Sequence, residues 1–433
     1  MKSHLVLRLA NPIPAPNIPH WEPFILNKAN EVGEFGNSLD AVFREYGLPI
    51  WITAEYRPAS EDGFNAEEIE SGLNRTYRVI LRQDTTFPPG LVDQIRLHPA
   101  VDWVRRGAIA QAVLPVYSEM ASTSALSDWP GALIHLPYAH AITKGRADIK
   151  VAILDTGVDL DHPEVVGRFV ARKDVVDFEG LDTSSFIGDL LQADDDPEDE
   201  VGHGTHIAGI IGARGNRIAE GVCSGCRLMA VRVLATMTQN GRRFGAGLID
   251  NINLGIKWAV DNGADVINMS LGVRHEHGGL PHADVIQYAL RKGVSVIAAA
   301  GNDGTNNKYY PGALPGVLAI GAVDRDGHVA PFSSYGARIS FLAPGTGILS
   351  SYRDGGYAAS SGTSQAAPFV SGAVALLQSL ALEHGRRLLS HQIKYLLQQT
   401  SERIDRRRHH PKGGYGIINL ADAFRLLNYE LGM

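Results

Sequence analysis

Cysteine is scarce in this chain, which has only Cys223 and Cys226 among its 433 residues. A small secreted protein held together by disulfides needs more cysteines than this, so that class is excluded. A single C-x-x-C pair also supplies only half of the ligands of a structural zinc site. We therefore expect two small thiols packed at a turn that leads into a strand, with reversible oxidation as the less favoured alternative.

Basic charge and long apolar runs are scarce as well. The chain carries a net charge of −7, and its one concentrated basic run, residues 406–410, is interpreted as a solvated loop, so a nucleic-acid partner is not expected. No apolar run approaches the roughly 20 residues that span a bilayer. Arg8 interrupts the short apolar stretch near the N-terminus, which argues against a secretory signal. These absences favour a cytoplasmic protein with no membrane partner.

From Asp148 onward the chain alternates between apolar strands and amphipathic helices. With 44% hydrophobic residues, it has enough apolar side chains for the cores of two or three domains. The apolar runs have no polar alternation, which is typical of strands buried on both faces of a parallel sheet. We predict an α/β domain, a parallel sheet with helices on both faces. Its strands are expected in IKVAILD, RLMAVRVL, ADVINMSLG, VSVIAAAGN and GVLAIGAV, and helices in GLIDNINLGIKWAVDNG and HADVIQYALRKG.

The first 130 residues follow a different pattern. A strand, a helix and a returning strand are predicted within residues 76–107, which indicates a smaller α+β domain that precedes the parallel sheet. The stretch VYSEMASTSALSDWPGAL is rich in small residues and is interpreted as a linker. The predicted boundaries are an N-terminal extension of unknown role over 1–72, the α+β unit over 73–116, a linker over 117–130 and the larger domain over 131–433.

The stretch SSGTSQAAPFVSGAVALL, residues 360–377, places Ser364 at the start of a predicted helix. Apolar residues follow at helical spacing, and Pro368 is expected in the first turn, where its missing N–H does least harm. One interpretation is that Ser364 caps a buried helix, because its hydroxyl can accept an N–H of the first turn. The alternative is a nucleophile beside the orphan N–H groups of that helix, which requires a base, an orienting acid and an oxyanion donor elsewhere.

Three other polar residues stand where predicted elements begin or end. Asp155 ends the strand KVAILD, His203 lies between two glycines before an apolar helical stretch, and Asn302 follows the strand of VSVIAAAGN. Each has an ordinary interpretation as a turn, cap or core residue. Together they offer the acid, the base and the amide donor that a nucleophilic Ser364 needs, near the carboxyl edge where functional groups gather in such sheets.

Six motifs occur in order from Val151 to Ala423: VAILDTGVDLDHPEV, GHGTHIAG, NMSLG, AAAGN, GTSQAAP and GGYGIINLADA. These motifs resemble those of the subtilisin-like serine proteases, and the resemblance extends from about Trp129 to the C-terminus. The order Asp, His, Ser is the one this family uses. The resemblance implies a subtilisin-like fold and a serine endopeptidase that works through an acyl-enzyme.

The resemblance also implies a role for each site residue. Ser364 attacks the scissile carbonyl, His203 takes and returns the proton, and Asp155 orients the imidazole. Asn302 and the backbone N–H of Ser364 hold the oxyanion. Two segments pair with an extended substrate, and Tyr309 stands at the base of the main specificity pocket, so small or short apolar side chains are expected there. The implied substrate-binding residues are Ser270, Leu271, Gly272, Ala300, Gly301 and Tyr309.

No cofactor is required by this chemistry. The acidic run over residues 194–200 is compatible with Ca²⁺ or with basic substrate residues, but a solvated surface loop is the preferred interpretation and calcium is not predicted. A metal site built from His203, His206 and a carboxylate is the alternative enzyme class. It is disfavoured because it leaves Ser364 and Asn302 without a role.

The α+β unit resembles the pro-domain that precedes many of these proteases. Such a domain helps the catalytic domain to fold and then blocks the cleft with its own C-terminal tail, which here would lie between Ala110 and Ser127. The partners implied are a polypeptide substrate and the chain's own N-terminal region as intramolecular inhibitor or chaperone. The alternatives are a resident domain that packs on the protease, and a permanently inhibited protease domain that serves as a binding module.

Overall fold

The structure is a computed structural model that describes residues 4–14, 18–83, 85–107, 109–112, 118–119, 128–177, 186–190, 194–239, 242–275 and 279–432. Its N-terminal region contains a four-stranded antiparallel sheet with the order β2-β3-β1-β4. The elements of this region are β1 (His4–Leu9), α1 (Trp21–Leu26), α2 (Leu39–Glu45), β2 (Ile50–Ala54), α3 (Ala66–Glu70), β3 (Thr76–Leu81), α4 (Pro89–Leu97) and β4 (Val101–Arg106).

Alternating side chains give this sheet one apolar face. In β1, Leu5, Leu7 and Leu9 are buried in a core that they share with apolar residues of α2 and α4, as the period of two along a strand requires. The predicted strand, helix and returning strand correspond to β3, α4 and β4.

The N-terminal sheet crosses the predicted boundary at residue 72. The segment 1–72, predicted as an extension, contains β1 and β2, which supply two of the four strands. β1 is the central partner of both β3 and β4. Without β1, those two strands would have no common neighbour, so the unit extends from residue 4 to residue 106.

The larger domain is built on a seven-stranded sheet with the order β18-β17-β15-β13-β7-β10-β8, in which all neighbours are parallel. The predicted strands are confirmed as β7, β10, β13, β15 and β17. The remaining strands form small antiparallel sheets at the edges of the domain. The strands after β4 are β5 (Ile109–Ala112), β6 (Ser118–Glu119), β7 (Lys150–Asp155), β8 (Phe169–Asp174), β9 (Phe186–Ile187), β10 (Arg227–Arg232), β11 (Ala235–Gln239), β12 (Arg242–Leu248), β13 (Val266–Met269), β14 (Val273–Arg274), β15 (Ser295–Ala299), β16 (Tyr309–Tyr310), β17 (Leu318–Val323), β18 (Ile339–Pro344), β19 (Ile348–Tyr352) and β20 (Gly356–Ser360).

Helices cover both faces of this sheet, as predicted. Two apolar clusters bury the two faces, one with α7, α10, α11 and α12 and the other with α8 and α9. The helices after α4 are α5 (Trp129–Leu133), α6 (Leu136–His140), α7 (His203–Gly212), α8 (Ile249–Asp261), α9 (Ala283–Arg291), α10 (Thr363–Glu383), α11 (Ser390–Thr400) and α12 (Leu420–Leu431). By length and composition α10 could cross a bilayer, but here it is a central core helix that is almost wholly buried.

One expectation about local chemistry changes, and another agrees with the structure. Cys223 and Cys226 are joined in a disulfide instead of being two thiols, and both are buried where the chain approaches β10. The basic run does lie at the surface, where Arg406, Arg407 and Arg408 are all exposed.

Candidate active site

Asp155 and His203 meet at the carboxyl edge of β7, an interior strand of the large sheet. Asp155 is the last residue of β7, and His203 is the first residue of α7. The imidazole Nδ1 donates to Asp155 Oδ1 over 2.6 Å, and both side chains are buried. Gly204 allows this close approach, because a Cβ at that position would lie 2.0 Å from the carbonyl oxygen of Gly157. The glycine beside the histidine is therefore a packing requirement of the site.

Ser364 is the second residue of the long core helix α10. Pro368 is the sixth residue of the helix and not, as expected, within its first turn. Since proline has no N–H to offer four residues back, the Ser364 carbonyl is left to accept the hydroxyl of Ser270 at 2.8 Å. The Ser364 hydroxyl donates in turn to the Ser270 carbonyl at 3.0 Å. This exchange ties the start of α10 to the segment that follows β13.

The hydroxyl of Ser364 is not directed at the imidazole in this state. His203 Nε2 has no hydrogen-bond partner among the residues that the structure describes. Catalytic hydrogen bonds of this kind are often unmade in a free enzyme and form when substrate binds. A rotation about the Cα–Cβ bond of Ser364 changes only the bond to Ser270.

Asn302 is held so that its amide nitrogen is the group left to donate. Its Oδ1 accepts from the N–H and the hydroxyl of Thr363, at 2.8 and 2.9 Å. The N–H of Ser364 lies in the first turn of α10, where the helix provides no acceptor for it. The amide of Asn302 and the N–H of Ser364 thus provide two donors at one helix N-terminus, where the helix dipole also favours negative charge.

A cavity of about 150 Å³ opens beside Ser364. It contains most of the substrate-binding residues expected from the sequence. Ala300 is the exception, since it is buried and its N–H donates to Ile320 of the sheet. The residues that line the cavity are Ser270, Leu271, Gly272, Ala299, Gly301, Asn302, Asp303, Tyr309, Thr363 and Ser364.

The ring of Tyr309 lies across this cavity. A Cβ at Gly272 would be 3.2 Å from Tyr309 Cβ, and a Cβ at Gly301 would be 2.4 Å from Tyr309 Cδ2. The Tyr309 side chain therefore lies next to Gly272 and Gly301, which both line the cavity. Its hydroxyl donates to Asp303 at 3.1 Å, which fixes the far end of the ring.

Asp303 places a negative charge near the cavity, although sequence analysis did not single it out. Burial raises the pKa of this carboxyl, but hydrogen bonds from Ser334, Asn307 and Thr305 outweigh burial and leave the pKa well below its usual range. Asp303 is therefore ionised at neutral pH. The sequence feature that could have identified Asp303 is its position directly after Asn302.

The His206 ring is held by backbone carbonyl groups. Its Nε2 lies 3.1 Å from the carbonyl oxygens of both Ile348 and Ala358, so this nitrogen donates to carbonyls and offers no lone pair to a metal. Burial lowers its pKa to about 3, and the ring is neutral. In the part of the chain that the structure describes, the one cluster with metal-ligand spacing is Asp324, Asp326 and His328, which includes neither His203 nor His206. The alternative based on His203 and His206 finds no support in this geometry.

The acidic run over residues 194–200 is only partly a solvated loop. Asp194, Asp195, Asp196 and Glu198 are exposed, as expected. Asp199 is not: it is buried and accepts several hydrogen bonds from the turn that presents His203. The expected solvent exposure was wrong for Asp199, because a run of acidic residues does not reveal which carboxylate is buried.

Comparison with known proteins places this arrangement in a family. The subtilase family model, peptidase S8, matches residues 146–417. A thermophilic serine proteinase of Bacillus sp. (strain AK1) is 37% identical over 288 residues, which is 66% of this chain and 64% of that protein's own length. Thermitase of Thermoactinomyces vulgaris is 34% identical over 298 residues, 68% of this chain and 94% of thermitase. The solved structure of the prenylagaramide maturation protease PagA aligns with a TM-score of 0.55 and 30% identity, and covers 67% of this chain and 98% of its own.

Proposed function

Because this chain belongs to the subtilase family of serine proteases, we propose that it cleaves polypeptides with Ser364 as nucleophile, His203 as general base and Asp155 as the acid that orients it. The observation that carries the proposal is the 2.6 Å bond between Asp155 and His203 in a site where Ser364 and Asn302 line one cavity. No cofactor is proposed, since the chemistry of such a triad needs none.

The proposed reaction has two halves. His203 Nε2 takes the proton of the Ser364 hydroxyl as Oγ bonds to the scissile carbonyl carbon, and Asp155 stabilises the imidazolium. The oxyanion is held by Asn302 Nδ2 and the N–H of Ser364. The imidazolium gives its proton to the leaving amine, which departs and leaves an ester on Ser364. Water then repeats the sequence at the ester carbon, which releases the acid product and restores Ser364.

Two reagents separate this proposal from the metal-dependent alternative. Hydrolysis of a peptide p-nitroanilide by the purified protein is expected to be lost after reaction with a fluorophosphonate and to persist in EDTA. Loss of activity in EDTA, with full activity after the fluorophosphonate, would instead support the metal alternative.

The expected cytoplasmic location stays a prediction.

The position of Tyr309 supports a preference for small side chains at the residue before the scissile bond. The Tyr309 side chain lies next to Gly272 and Gly301, which line the cavity, so it takes space that a large substrate side chain would need. The charge of Asp303 adds a penalty for acidic substrate side chains, because like charges in a partly buried site repel. We propose alanine, glycine and serine as the favoured residues there.

Removal of the Tyr309 ring should open the cavity. For Tyr309→Gly we expect the ratio of kcat/KM for a phenylalanyl substrate to that for an alanyl substrate to rise by about 10-fold to 100-fold, the value of burying a large apolar side chain. The measurement compares succinyl-Ala-Ala-Pro-Phe and succinyl-Ala-Ala-Pro-Ala p-nitroanilides. The matched control is Tyr309→Phe, which keeps the ring and should keep the wild-type ratio. An unchanged ratio in Tyr309→Gly would show that this ring does not set the preference.

A buried carboxylate of the protease domain binds basic side chains of the N-terminal region. Asp250, near the start of α8, is fully buried beneath the N-terminal sheet. It accepts from Arg105 at 2.6 Å and from His4 at 2.7 Å, and Arg78 lies 3.5 Å away. Burial alone would raise the pKa of Asp250, but the two guanidinium groups and His4 outweigh burial and place that pKa well below its usual range.

The same interface also contains ion pairs between side chains and apolar contacts. Arg78 forms two hydrogen bonds to Glu55, at 2.9 and 3.1 Å, and so satisfies a second buried carboxylate. Lys257 of α8 pairs with Glu68 at 2.6 Å. Tyr56 and Leu73 are part of the apolar cluster that covers one face of the large sheet. Removing one partner from such a buried charge network is strongly destabilising, and this supports a domain that assists folding of the protease.

Two short strands after the N-terminal sheet support the inhibitor role. β5 pairs antiparallel with β12, and Ala112 is opposite Gly245. A Cβ at Gly245 would lie 2.9 Å from the methyl of Thr156, the neighbour of Asp155. β6 pairs with β20, the strand that precedes α10. The chain is thus paired with one strand beside Thr156 and with the strand that leads into α10, as an extended substrate would be.

We therefore expect self-processing at a bond between Ala112 and Ser118. Residues 113–117 join β5 to β6 and lie outside the described residues. N-terminal sequencing and intact mass of the purified protein should show a new N-terminus at Val113, because among residues 112–117 Ala112 alone has the small side chain proposed for the position before the scissile bond. This site lies within the broader range expected from the sequence. A chain that hydrolyses added peptides but stays whole would contradict self-processing and leave the N-terminal region as a resident domain.

A further inference from the structure

Asp199 is a buried carboxylate that no catalytic step uses. Its Oδ1 accepts from the hydroxyl of Thr156 at 2.8 Å and from the N–H groups of Val201 and Gly202 at 3.1 and 2.7 Å. Its Oδ2 accepts from the N–H and the hydroxyl of Thr205 at 2.8 and 2.7 Å. Both carboxylate oxygens are therefore occupied by donors that come from the residues around Asp155 and His203.

The hydroxyl of Thr156 extends this network to the second catalytic residue. It donates to Asp199 and accepts the N–H of Gly204 at 3.0 Å. Thr156 directly follows Asp155, and Gly204 directly follows His203. The N–H of Thr156 also donates to Asp155 Oδ1, the oxygen that receives His203 Nδ1. One hydroxyl and one carboxylate thus connect the backbone beside the acid to the backbone beside the base.

We propose that Asp199 is a positioning residue that holds His203 against Asp155 through Thr156 and the turn at Gly202. The inference rests on the proposed function, since it concerns the same acid and base. A charged acceptor suits this position, because hydrogen bonds to a carboxylate are stronger than bonds between neutral groups. Three of its five donors are backbone or hydroxyl groups of Gly202 and Thr205, which flank His203, so the carboxylate fixes the first turn of α7. An imidazole displaced by a fraction of an ångström loses its alignment with both Asp155 and Ser364.

The most direct test substitutes the hydroxyl that links the two sides. Thr156→Val keeps the shape of the side chain and removes the link, whereas Thr156→Ser keeps the hydroxyl. For Thr156→Val we expect kcat per fluorophosphonate-titrated site to fall about 10-fold with KM little changed, because the loss lies in alignment and not in substrate binding. Thr156→Ser should stay within about twofold of wild type in both constants.

The carboxylate itself is tested by Asp199→Asn, which keeps the size but turns one oxygen into an NH₂ that faces N–H and O–H donors. We expect a fall in kcat of about 10-fold to 100-fold with KM little changed. The matched control is Glu198→Gln, in the same acidic run but exposed, which should behave as wild type. An unchanged kcat in both Thr156→Val and Asp199→Asn, with only a lower melting temperature, would overturn the inference. If Asp199→Asn does not fold, the Thr156 pair decides alone. If wild type itself neither hydrolyses nor labels, it is the proposed function that has failed.

Discussion

Ser364→Ala is expected to abolish peptide hydrolysis, with a fall in kcat on the order of 10⁶-fold, the loss measured when a triad of this kind loses its nucleophile. The physical reason is that the Ser270 and Thr363 hydroxyls, which line the same cavity, are engaged elsewhere. The Ser270 hydroxyl is committed to the carbonyl of Ser364, and the Thr363 hydroxyl donates to Asn302 Oδ1. The measurement is the rate of p-nitroaniline release at saturating peptide, with enzyme concentration set by absorbance.

The fold of this variant should be preserved. Ser364 Oγ makes one hydrogen bond, to the carbonyl of Ser270, and the start of α10 is still held by the Ser270 hydroxyl and by the Thr363 bond to Asn302. We therefore expect a melting temperature within a few degrees of wild type, since one lost hydrogen bond is worth about 1 kcal/mol. Substantial hydrolysis by Ser364→Ala would show that Ser364 is not the nucleophile.

Asn302→Ala is expected to lower kcat by about 100-fold to 1000-fold, a range that comes from the corresponding asparagine of a relative in this family. The amide nitrogen would donate to an oxygen that carries charge in the transition state and much less in the bound substrate. KM should therefore change little, because the lost interaction belongs mainly to the transition state. Steady-state kinetics on one peptide p-nitroanilide separate the two constants.

Thr363 provides a comparison for Asn302. Its hydroxyl and N–H hold Asn302 Oδ1, so Thr363→Val should disorient the amide without removing it and give a smaller loss, of about 10-fold. A fall of less than about threefold for Asn302→Ala would exclude Asn302 from oxyanion binding. If kcat falls and KM rises by equal factors, Asn302 would be assigned to substrate binding instead.

The parts of the fold that the sequence predicted correctly are those set by local pattern. The strands β7, β10, β13, β15 and β17 are continuous apolar runs, and burial on both faces follows directly from that composition. Their parallel order then requires that Asp155 and Asn302 emerge at one edge. The motif GTSQAAP likewise placed Ser364 at a helix start, although Pro368 lies one turn further along than expected.

The parts that the sequence missed depend on pairing over long distances. β1 pairs with β3 and β4, about 70 to 100 residues away, and no local pattern shows which strands become neighbours. Asp199 resembled its exposed neighbours in the acidic run, and only the turn before α7 decides that its side chain faces inward. The contact of Tyr309 with both Gly272 and Gly301 is also set by the folded chain. The position of Tyr309 in the sequence could suggest that it lines the pocket, but not how near its side chain lies to these two glycines.

Intact mass of wild type and Ser364→Ala after incubation with a fluorophosphonate shows whether Ser364 is the nucleophile. We expect one added phosphonyl group on wild type, located on the peptide that contains Ser364, and none on the variant. We also expect that wild type is cut between Ala112 and Ser118 while the variant remains 433 residues long. Equal labelling of both proteins, or a label on any residue other than Ser364, would contradict the assignment of Ser364 as the nucleophile.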